Sequence, residues 1–306
     1  MDISALVEKL IQLFFALAVG FSAAKCGVLN RESNQSLTRL IVNITNPLQI
    51  LASVMTGERL LRNGQVLTLT AVNFACYALL ILLGSAFVRL LRVPERDARV
   101  YRLLLLFSNV GFLGYPLAEA LLGPDAKFCI TISVLCFHLV CWTYGAHLIE
   151  DDKPFRFSWR MLLRPCVFCS LLAYAIYLSG LRLPAALGKM ADSVGSLTGC
   201  LAMIVIGVSL AQISLRKLFC NPRLYVLCLL KLVIMPLLFW AVLRSILHHP
   251  MMLTVGTLTL CMPAATTVTM LCYQFGHDET LASSGVFLST LLSLVTIPLL
   301  MALLFL

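Results

Sequence analysis

Charged residues are scarce in this sequence. Only 12% of its 306 residues are Asp, Glu, Lys or Arg, and 60% are hydrophobic, with a mean hydropathy of +0.95. A soluble globular domain has about 25% charged and 45–50% apolar residues, so the composition excludes that class. Because a membrane-spanning helix needs roughly 20 apolar residues, the length allows about ten spans in the lipid bilayer, without a separate soluble domain.

Acidic residues are nearly absent from the apolar segments. Glu8 and Glu119 lie within predicted spans, close to their ends, and no acid lies deep inside a span. This argues against a carboxylate proton relay, a buried metal site or paired carboxylates for hydrolysis, so no metal, cofactor or enzymatic activity is expected. The formal net charge of +9 is spread over the connections instead of forming one patch, which argues against a nucleic-acid partner.

Ten apolar segments are predicted to cross the membrane, and an even number places both termini on the same side. Lys and Arg are more frequent in the connections that lie inside when both termini lie outside, as in the arginine-rich segment 89–102. The positive-inside rule therefore predicts a multi-pass protein of the cell inner membrane with periplasmic termini. The predicted spans are 4–25, 36–56, 65–89, 99–122, 126–149, 158–179, 191–212, 224–247, 251–275 and 279–305.

The fourth span contains residues that a plain spanning helix avoids. Its stretch SNVGFLGYPLAEALLG includes Asn109, Gly111, Gly114 and Pro116. Gly and Pro disfavour a helix interior by about 1 and 3 kcal/mol. Irregular backbone inside a membrane is tolerated only where protein or a watery cavity covers it. A broken helix at this depth is therefore a candidate binding site.

The second half of the chain contains a matching irregularity. Span 4 ends in Gly-Pro-Asp at Asp125 and span 9 ends in Gly-His-Asp at Asp278. Each Asp is placed to cap the helix that follows. Aligning the two ends places Pro263 at the depth of the first break, which is expected at Asn109–Gly111. Pro116 is then expected to pack inside the following half-helix.

The two matching breaks predict an internal repeat. Five spans in each half give the two copies opposite orientations, which is a transporter architecture. The predicted fold is an all-α integral membrane protein of ten transmembrane helices, arranged as two inverted five-helix repeats with helices 4 and 9 broken. The repeats are residues 1–150 and 155–306, and the polar connection 151–154 divides them.

Several polar side chains near the breaks are candidates for substrate binding. The amide of Asn109 both donates and accepts hydrogen bonds, so it is suited equally to binding substrate and to tying the broken backbone. Ser108, Thr266 and Thr267 add hydroxyl groups, although a threonine in a helix often bonds to its own backbone. Helix amino ends carry partial positive charge and bind anions, which favours a small carboxylate near Asn109 and Pro263.

Other polar residues lie in neighbouring spans. Asn43 and Asn46 form a cluster with Pro47, which is a further candidate for a helix break. This cluster either lines the same cavity or bonds to adjacent helices. His138 is a candidate for proton transfer or for packing. Lys231 is expected to extend its amine to the membrane interface, and the alternative is a buried cation that pairs with an anionic substrate.

Three stretches of the sequence resemble the auxin efflux carrier family, and the resemblance extends over nearly the whole chain. The short central connection is similar to that of bacterial members and unlike the large loop of the plant carriers. The family's fold is related to that of bile-acid/sodium symporters, with spans 4 and 9 crossing at their broken centres beside the substrate. The stretches are NITNPLQI, SNVGFLGYPLAEALLG and MPAATTVTMLCYQFGHDETLASSGVFLSTLLSLVTIPLL.

The resemblance carries specific expectations. Asn109 matches the family's crossover asparagine and Pro263 its crossover proline, whereas Ser108 replaces a proline of the plant carriers. Spans 1, 2, 6 and 7 would form a scaffold that often dimerises, and spans 3–5 and 8–10 would move as an elevator. Bacterial relatives are associated with malonate, malate and similar acids. The resemblance therefore implies a homodimeric secondary transporter for a small organic acid, including auxin-like acids, that works by alternating access.

Other interpretations of the sequence differ in mechanism. A channel or a receptor with a transport fold is one alternative. An intramembrane enzyme is less consistent with the sequence, because Ser289 and His138 lie on different spans without an acid partner. The energy source stays open between protons moving through His138, sodium held by carbonyl and hydroxyl oxygens, and the membrane potential alone.

Overall fold

The structure is a computed structural model that describes residues 2–56, 58–150, 162–212 and 221–305. Within these ranges the regular structure is entirely helical, apart from one isolated antiparallel bridge between Ser108 and Ala264. The connection 151–154 and the first residues of the predicted span 158–179 lie outside the described ranges. The prediction of an all-α protein is confirmed for the part of the chain that is described.

Twelve helices follow one another along these ranges. Predicted spans 4 and 9 each consist of two helices, and each of the other eight overlaps one helix. The helices are α1 (Ile3–Lys25), α2 (31–55), α3 (Asn63–Leu90), α4 (Glu95–Leu106), α5 (Gly114–Leu122), α6 (Pro124–Ile149), α7 (Pro165–Ser179), α8 (Ala185–Ala211), α9 (Pro222–Ile246), α10 (Pro250–Cys261), α11 (Thr267–Phe275) and α12 (Glu279–Phe305).

Six of these helices are long and apolar enough to cross a membrane, namely α1, α3, α6, α8, α9 and α12. The helices α7 and α10 are apolar but shorter. A bilayer core of about 30 Å matches roughly 20 helical residues, so the six long helices identify the chain as a membrane protein. The total of ten membrane spans and the inverted repeat stay predictions.

The predicted interruption of span 4 is present. α4 ends at Leu106, Phe107 is extended with φ −97° and ψ 116°, and α5 begins only at Gly114. Pro116 lies in the first turn of α5, as expected. N–H groups in the first turn have no acceptor within the helix, so a proline there costs no helical hydrogen bond. Span 9 is interrupted in the same way between Cys261 and Thr267.

Pro47 does not break its helix, contrary to the prediction. The chain remains helical from 31 to 55, and the turn Ile41–Thr45 before the proline is π-helical. Because Pro47 has no N–H to donate, the preceding turn widens and the helix continues. The same arrangement occurs in α9, where the π-helical turn Leu230–Ile234 precedes Pro236.

The two aspartates that were expected to cap helices differ in their contacts. The carboxylate of Asp278 accepts a hydrogen bond of 2.9 Å from the N–H of Leu281 and so caps α12, as predicted. Asp125 does not cap α6. Its carboxylate accepts a 2.7 Å hydrogen bond from the N–H of Glu58, so it anchors the connection that follows α2.

Backbone contacts group the chain into two compact units that alternate along the sequence. Unit 1 contains Met1–Thr70, Val110–His138 and Trp159–Gln212, and unit 2 contains Ala71–Asn109, Leu139–Ser158 and Ile213–Leu306. This grouping concerns contacts and not internal symmetry, so it leaves the predicted repeats of residues 1–150 and 155–306 untested.

Unit 1 is built around the close crossing of α1 and α8. A Cβ atom at Gly207 would lie 2.1 Å from the carbonyl oxygen of Leu17, and one at Gly20 would lie 2.2 Å from that of Ile204. Two glycines, one on each helix, therefore let the backbones touch. Small residues at such crossings are typical of membrane helices, where van der Waals packing drives association.

Unit 2 is built around α12, which packs against α4, α9 and α10. Here too a glycine allows close approach, because a Cβ atom at Gly285 would lie 2.4 Å from the Leu104 side chain. The last turns of α4 are buried, and Leu104, Leu105 and Leu106 are almost inaccessible to solvent. This packing holds the carboxyl end of α4 inside unit 2.

Candidate functional site

The two helix breaks meet inside unit 2. The N–H of Asn109 donates to the carbonyl oxygen of Pro263 over 2.8 Å, and the N–H of Ala265 donates to that of Phe107 over 2.9 Å. We call these short extended segments, 107–109 and 263–265, the paired break. Each segment satisfies backbone groups of the other, which is how irregular backbone persists where water is absent.

Ser289 on α12 adds a third attachment to the paired break. Its hydroxyl oxygen accepts a 3.1 Å hydrogen bond from the N–H of Ala264, and its proton goes to the carbonyl oxygen of Val286 at 2.9 Å. Ser289 is fully buried. The hydroxyl therefore uses both its acceptor and its donor for structure. The sequence analysis considered Ser289 only as a nucleophile and missed this role.

Replacing Ser289 by Ala tests this attachment. The N–H of Ala264 would remain buried without an acceptor, which costs about 1–3 kcal/mol. We expect a correspondingly lower thermal unfolding temperature of the purified protein in detergent. Ser293→Ala is the matched control, because Ser293 is equally buried and donates only to the Thr290 carbonyl of its own helix. Equal losses in the two variants would contradict the assignment.

Lys231 was expected to extend its amine to the membrane interface. It contacts the first break instead. Its side chain is buried, with 3% of the residue exposed. The ammonium donates to the carbonyl oxygen of Leu105 over 2.9 Å and to the hydroxyl of Ser108 over 3.0 Å. A cation at the carboxyl end of α4 also complements the helix dipole. The sequence left burial of Lys231 open only as the alternative, because only the tertiary packing shows where the side chain points.

Asn109 combines a hydrogen-bonded backbone N–H with an unpaired side-chain donor. Its N–H is used in the paired break, but its Nδ2 group is buried and has no hydrogen-bond partner among the described residues. Native proteins rarely leave a buried donor unsatisfied, so each such group calls for an explanation. The backbone of Asn109, and not its amide, ties the two breaks together. The amide donor therefore has no structural role among the described residues.

The two threonines of the second break lie at the amino end of α11. Thr266 precedes the helix and Thr267 begins it, both are partly exposed, and no side chain caps the helix. Pro263 contributes its carbonyl oxygen to the paired break and has no N–H of its own. This end of α11 carries the partial positive charge that favours an anion.

The remaining predicted residues lie in unit 1. Asn46 is buried, its Nδ2 group lies 3.6 Å from the sulfur of Cys166, and its Oδ1 atom has no partner among the described residues. A Cβ atom at Gly111 would lie 3.6 Å from the same Nδ2 group, so Gly111 and Asn46 are neighbours. The buried Oε1 atom of Gln49, one turn after Asn46, is also unpaired.

The other candidates in unit 1 have different contacts. Asn43 is exposed on α2 and donates to the Arg39 carbonyl one turn earlier. His138 is partly buried on α6, and its Nδ1 atom has no hydrogen-bond partner in the described structure. Gly114 packs close to Ile130, where an added Cβ atom would lie 3.2 Å from the side chain. The roles of these residues in binding stay predictions.

Unit 1 contains an ion cluster that sequence reasoning missed. The ammonium of Lys127 lies 2.9 Å from a carboxylate oxygen of Glu119 and 3.2 Å from one of Asp192. Lys127 is buried, whereas its two partners are partly exposed. The cluster joins α5, α6 and α8. In the described part of the chain, no group of three or more His, Cys, Asp or Glu residues is arranged to hold a metal ion.

Long apolar helices with a paired break at buried depth are typical of membrane transport proteins. Comparison with known sequences agrees: a family described as membrane transport protein matches residues 5–156 and 154–301. The chain therefore belongs to this family, the auxin efflux carrier family, and the resemblance noted in the sequence is confirmed.

Two curated relatives extend over almost the full length of the chain. An "Uncharacterized transporter" of Methanothermobacter thermautotrophicus is 26% identical over 304 residues, covering 95% of this chain and 96% of the relative. A "Putative malonate transporter" of Rhizobium meliloti is 24% identical over 305 residues, covering 95% and 93%. Both names describe transport and not catalysis, in agreement with the expectation that the chain is a transporter.

Proposed function

We propose that this protein is a secondary active transporter for a small organic anion, a carboxylate such as malonate or malate. The observation that carries the proposal is the buried, unpaired amide of Asn109 at the paired break. An amide donor held on rigid backbone is suited to a carboxylate oxygen, which only accepts hydrogen bonds. The name of the Rhizobium meliloti relative supports the same substrate class.

The binding chemistry follows from the residues at the breaks. The Nδ2 group of Asn109 donates to one carboxylate oxygen, and the hydroxyl of Ser108 supplies a second donor. The amino end of α11, with Thr266 and Thr267, adds partial positive charge. In unit 1, Asn46, Gly111, Asn43 and His138 remain further candidates for substrate binding, proposed from the sequence.

The proposed mechanism is elevator-type alternating access. Two inverted repeats of five helices, residues 1–150 and 155–306, would provide spans 1, 2, 6 and 7 as a scaffold and spans 3–5 and 8–10 as the moving part. The scaffold would form a homodimer in the inner membrane, with periplasmic termini. Full-length similarity to transporters and the breaks in spans 4 and 9 support this arrangement. Protons, sodium or the membrane potential would drive the cycle.

Uptake into proteoliposomes tests the proposal. We expect the wild-type protein to accumulate labelled malonate or malate with saturable kinetics, stimulated by unlabelled acid inside. Asn109→Ala should reduce uptake at low substrate concentration by about tenfold or more, because a hydrogen bond to a charged group contributes about 1.5–3 kcal/mol.

The control for this substitution is Gln35→Ala, which removes an exposed amide on α2 and should leave uptake unchanged. Uptake by Asn109→Ala equal to that of the control would refute the site. Flux that does not saturate and shows no stimulation by internal acid would indicate a channel.

A further inference from the structure

Unit 2 contains a buried lysine that no carboxylate of the described residues accompanies. Lys231 makes no ion pair with an Asp or Glu among the described residues, and its two hydrogen bonds go to the neutral oxygens of Leu105 and Ser108. An ammonium group has three N–H donors, so one donor remains uncommitted. The partial negative charge at the carboxyl end of α4 compensates this cation only in part.

The other buried lysine among the described residues, Lys127, is satisfied differently. Lys127 is 5% exposed, nearly as buried as Lys231, yet it lies within 3.2 Å of two carboxylates, those of Glu119 and Asp192. A buried charge without a counter-ion is strongly unfavourable, and in membrane proteins such residues mark functional sites. Lys231 therefore has the properties of one half of an ion pair.

Lys231 lies beside the paired break. Its ammonium lies 3.0 Å from the hydroxyl of Ser108, which precedes Asn109 in the paired break. The π-helical turn Leu230–Ile234 carries Lys231, and such turns are frequent at functional sites. The Ser108 oxygen accepts from Lys231, so the Ser108 proton stays available to an acceptor. Two donors, one charged and one neutral, thus lie together at the first break.

We propose that Lys231 is the counter-charge for the transported anion, and that its free N–H binds a carboxylate oxygen of the substrate. This inference rests on the proposed function and specifies its substrate class: the site takes the ionised carboxylate and discriminates against neutral compounds of the same shape. A single lysine neutralises one carboxylate, and the amide of Asn109 provides neutral hydrogen bonding for the remainder of the substrate.

Binding measurements with a charged and a neutral compound of similar shape test the counter-charge. The purified full-length protein in detergent is titrated calorimetrically with malonate and with malonamide. We expect the wild type to prefer malonate, and Lys231→Gln to weaken malonate binding by about tenfold to a hundredfold, the range for a hydrogen bond to a charged group. Malonamide binding should stay the same, so the preference for the anion disappears.

The control variant is Lys189→Gln, which removes an exposed lysine and should keep the wild-type preference. A folded Lys231→Gln protein with an unchanged preference for malonate would overturn the counter-charge. If this variant does not fold, the wild type decides: equal affinity for malonate and malonamide refutes the proposal, and a clear preference that Lys231→Arg retains supports it.

The outcomes separate this inference from the function on which it rests. Saturable malonate uptake by the wild type, together with undiminished malonate binding by Lys231→Gln, rejects the role of Lys231 and leaves the transporter standing. A wild-type protein that neither binds nor transports malonate or malate rejects both.

Discussion

Ala265→Pro is expected to abolish transport and to destabilise unit 2. The N–H of Ala265 donates to the carbonyl oxygen of Phe107, and this is one of the two backbone hydrogen bonds between the breaks. Proline has no N–H, so the Phe107 carbonyl would stay buried without this donor. An unsatisfied buried acceptor costs about 1–3 kcal/mol. The proline ring would also overlap neighbouring atoms, because Ala265 is buried.

The loss extends beyond one hydrogen bond, because the paired break is short. The segments 107–109 and 263–265 are connected by two backbone hydrogen bonds, and Ser289 supports the middle of the second segment. Displacement of Ala265 would also move Ala264 and Pro263, and with them the acceptor of the Asn109 N–H. We therefore expect a total loss of about 3 kcal/mol or more in stability.

Two measurements check this prediction. Thermal unfolding in detergent should show a markedly lower transition for Ala265→Pro than for wild type, and proteoliposomes should show no saturable malonate uptake. Ala265→Gly is the control, because it retains the N–H and differs only in the missing methyl group. The same unfolding transition and the same uptake for Ala265→Pro and Ala265→Gly would show that the backbone pairing of the two breaks is not needed for stability or transport.

The breaks were predictable from sequence because their causes are local. Asn109, Gly111 and Pro263 are residues that disfavour an uninterrupted apolar helix, and the structure interrupts both helices where they occur. The location of Pro116 inside the following half-helix was predictable for a local reason too, because the first helical turn tolerates proline. Length and hydropathy sufficed to place most helices, although α2 and α8 begin five and six residues before their predicted spans 36–56 and 191–212.

The contacts of single side chains were not predictable in the same way. Pro47 was expected to break α2. The preceding turn is π-helical instead, and the helix continues although Pro47 has no N–H. Asp125 and Asp278 have similar sequence contexts, and only Asp278 caps a helix. For Asp125 the deciding contact is with the N–H of Glu58, 67 residues earlier in the chain, and no local pattern shows it.

Lys231 illustrates the limit most clearly. A lysine near the start of an apolar span can extend to the interface or turn inward, and both directions fit the sequence. The inward direction requires acceptors, and these come from the end of α4 and the break that follows it, more than 120 residues earlier in the chain. No periodicity within α9 contains that information. The pairing of Lys127 with Asp192 depends on distant packing in the same way.

Gly207→Ala is expected to have the second large effect, on the stability of unit 1. The added Cβ atom would lie 2.1 Å from the carbonyl oxygen of Leu17 and 2.8 Å from the backbone nitrogen of Phe21. Both are backbone atoms of α1, so no side-chain rotation relieves the overlap. The two helices must separate, and the packing around Gly20 loosens with them. We expect a loss of about 3 kcal/mol, the upper part of the range for overpacked sites.

Gly84→Ala separates this steric effect from helix propensity. Gly84 is also a buried helical glycine, but its added Cβ atom would lie 3.5 Å from the Leu105 side chain, which is ordinary contact. Alanine is favoured over glycine in a helix by about 1 kcal/mol, so this variant should match or exceed the wild type. Thermal unfolding of both variants in the same detergent measures the difference. Equal transitions would mean that α1 and α8 do not approach as closely as their glycines allow.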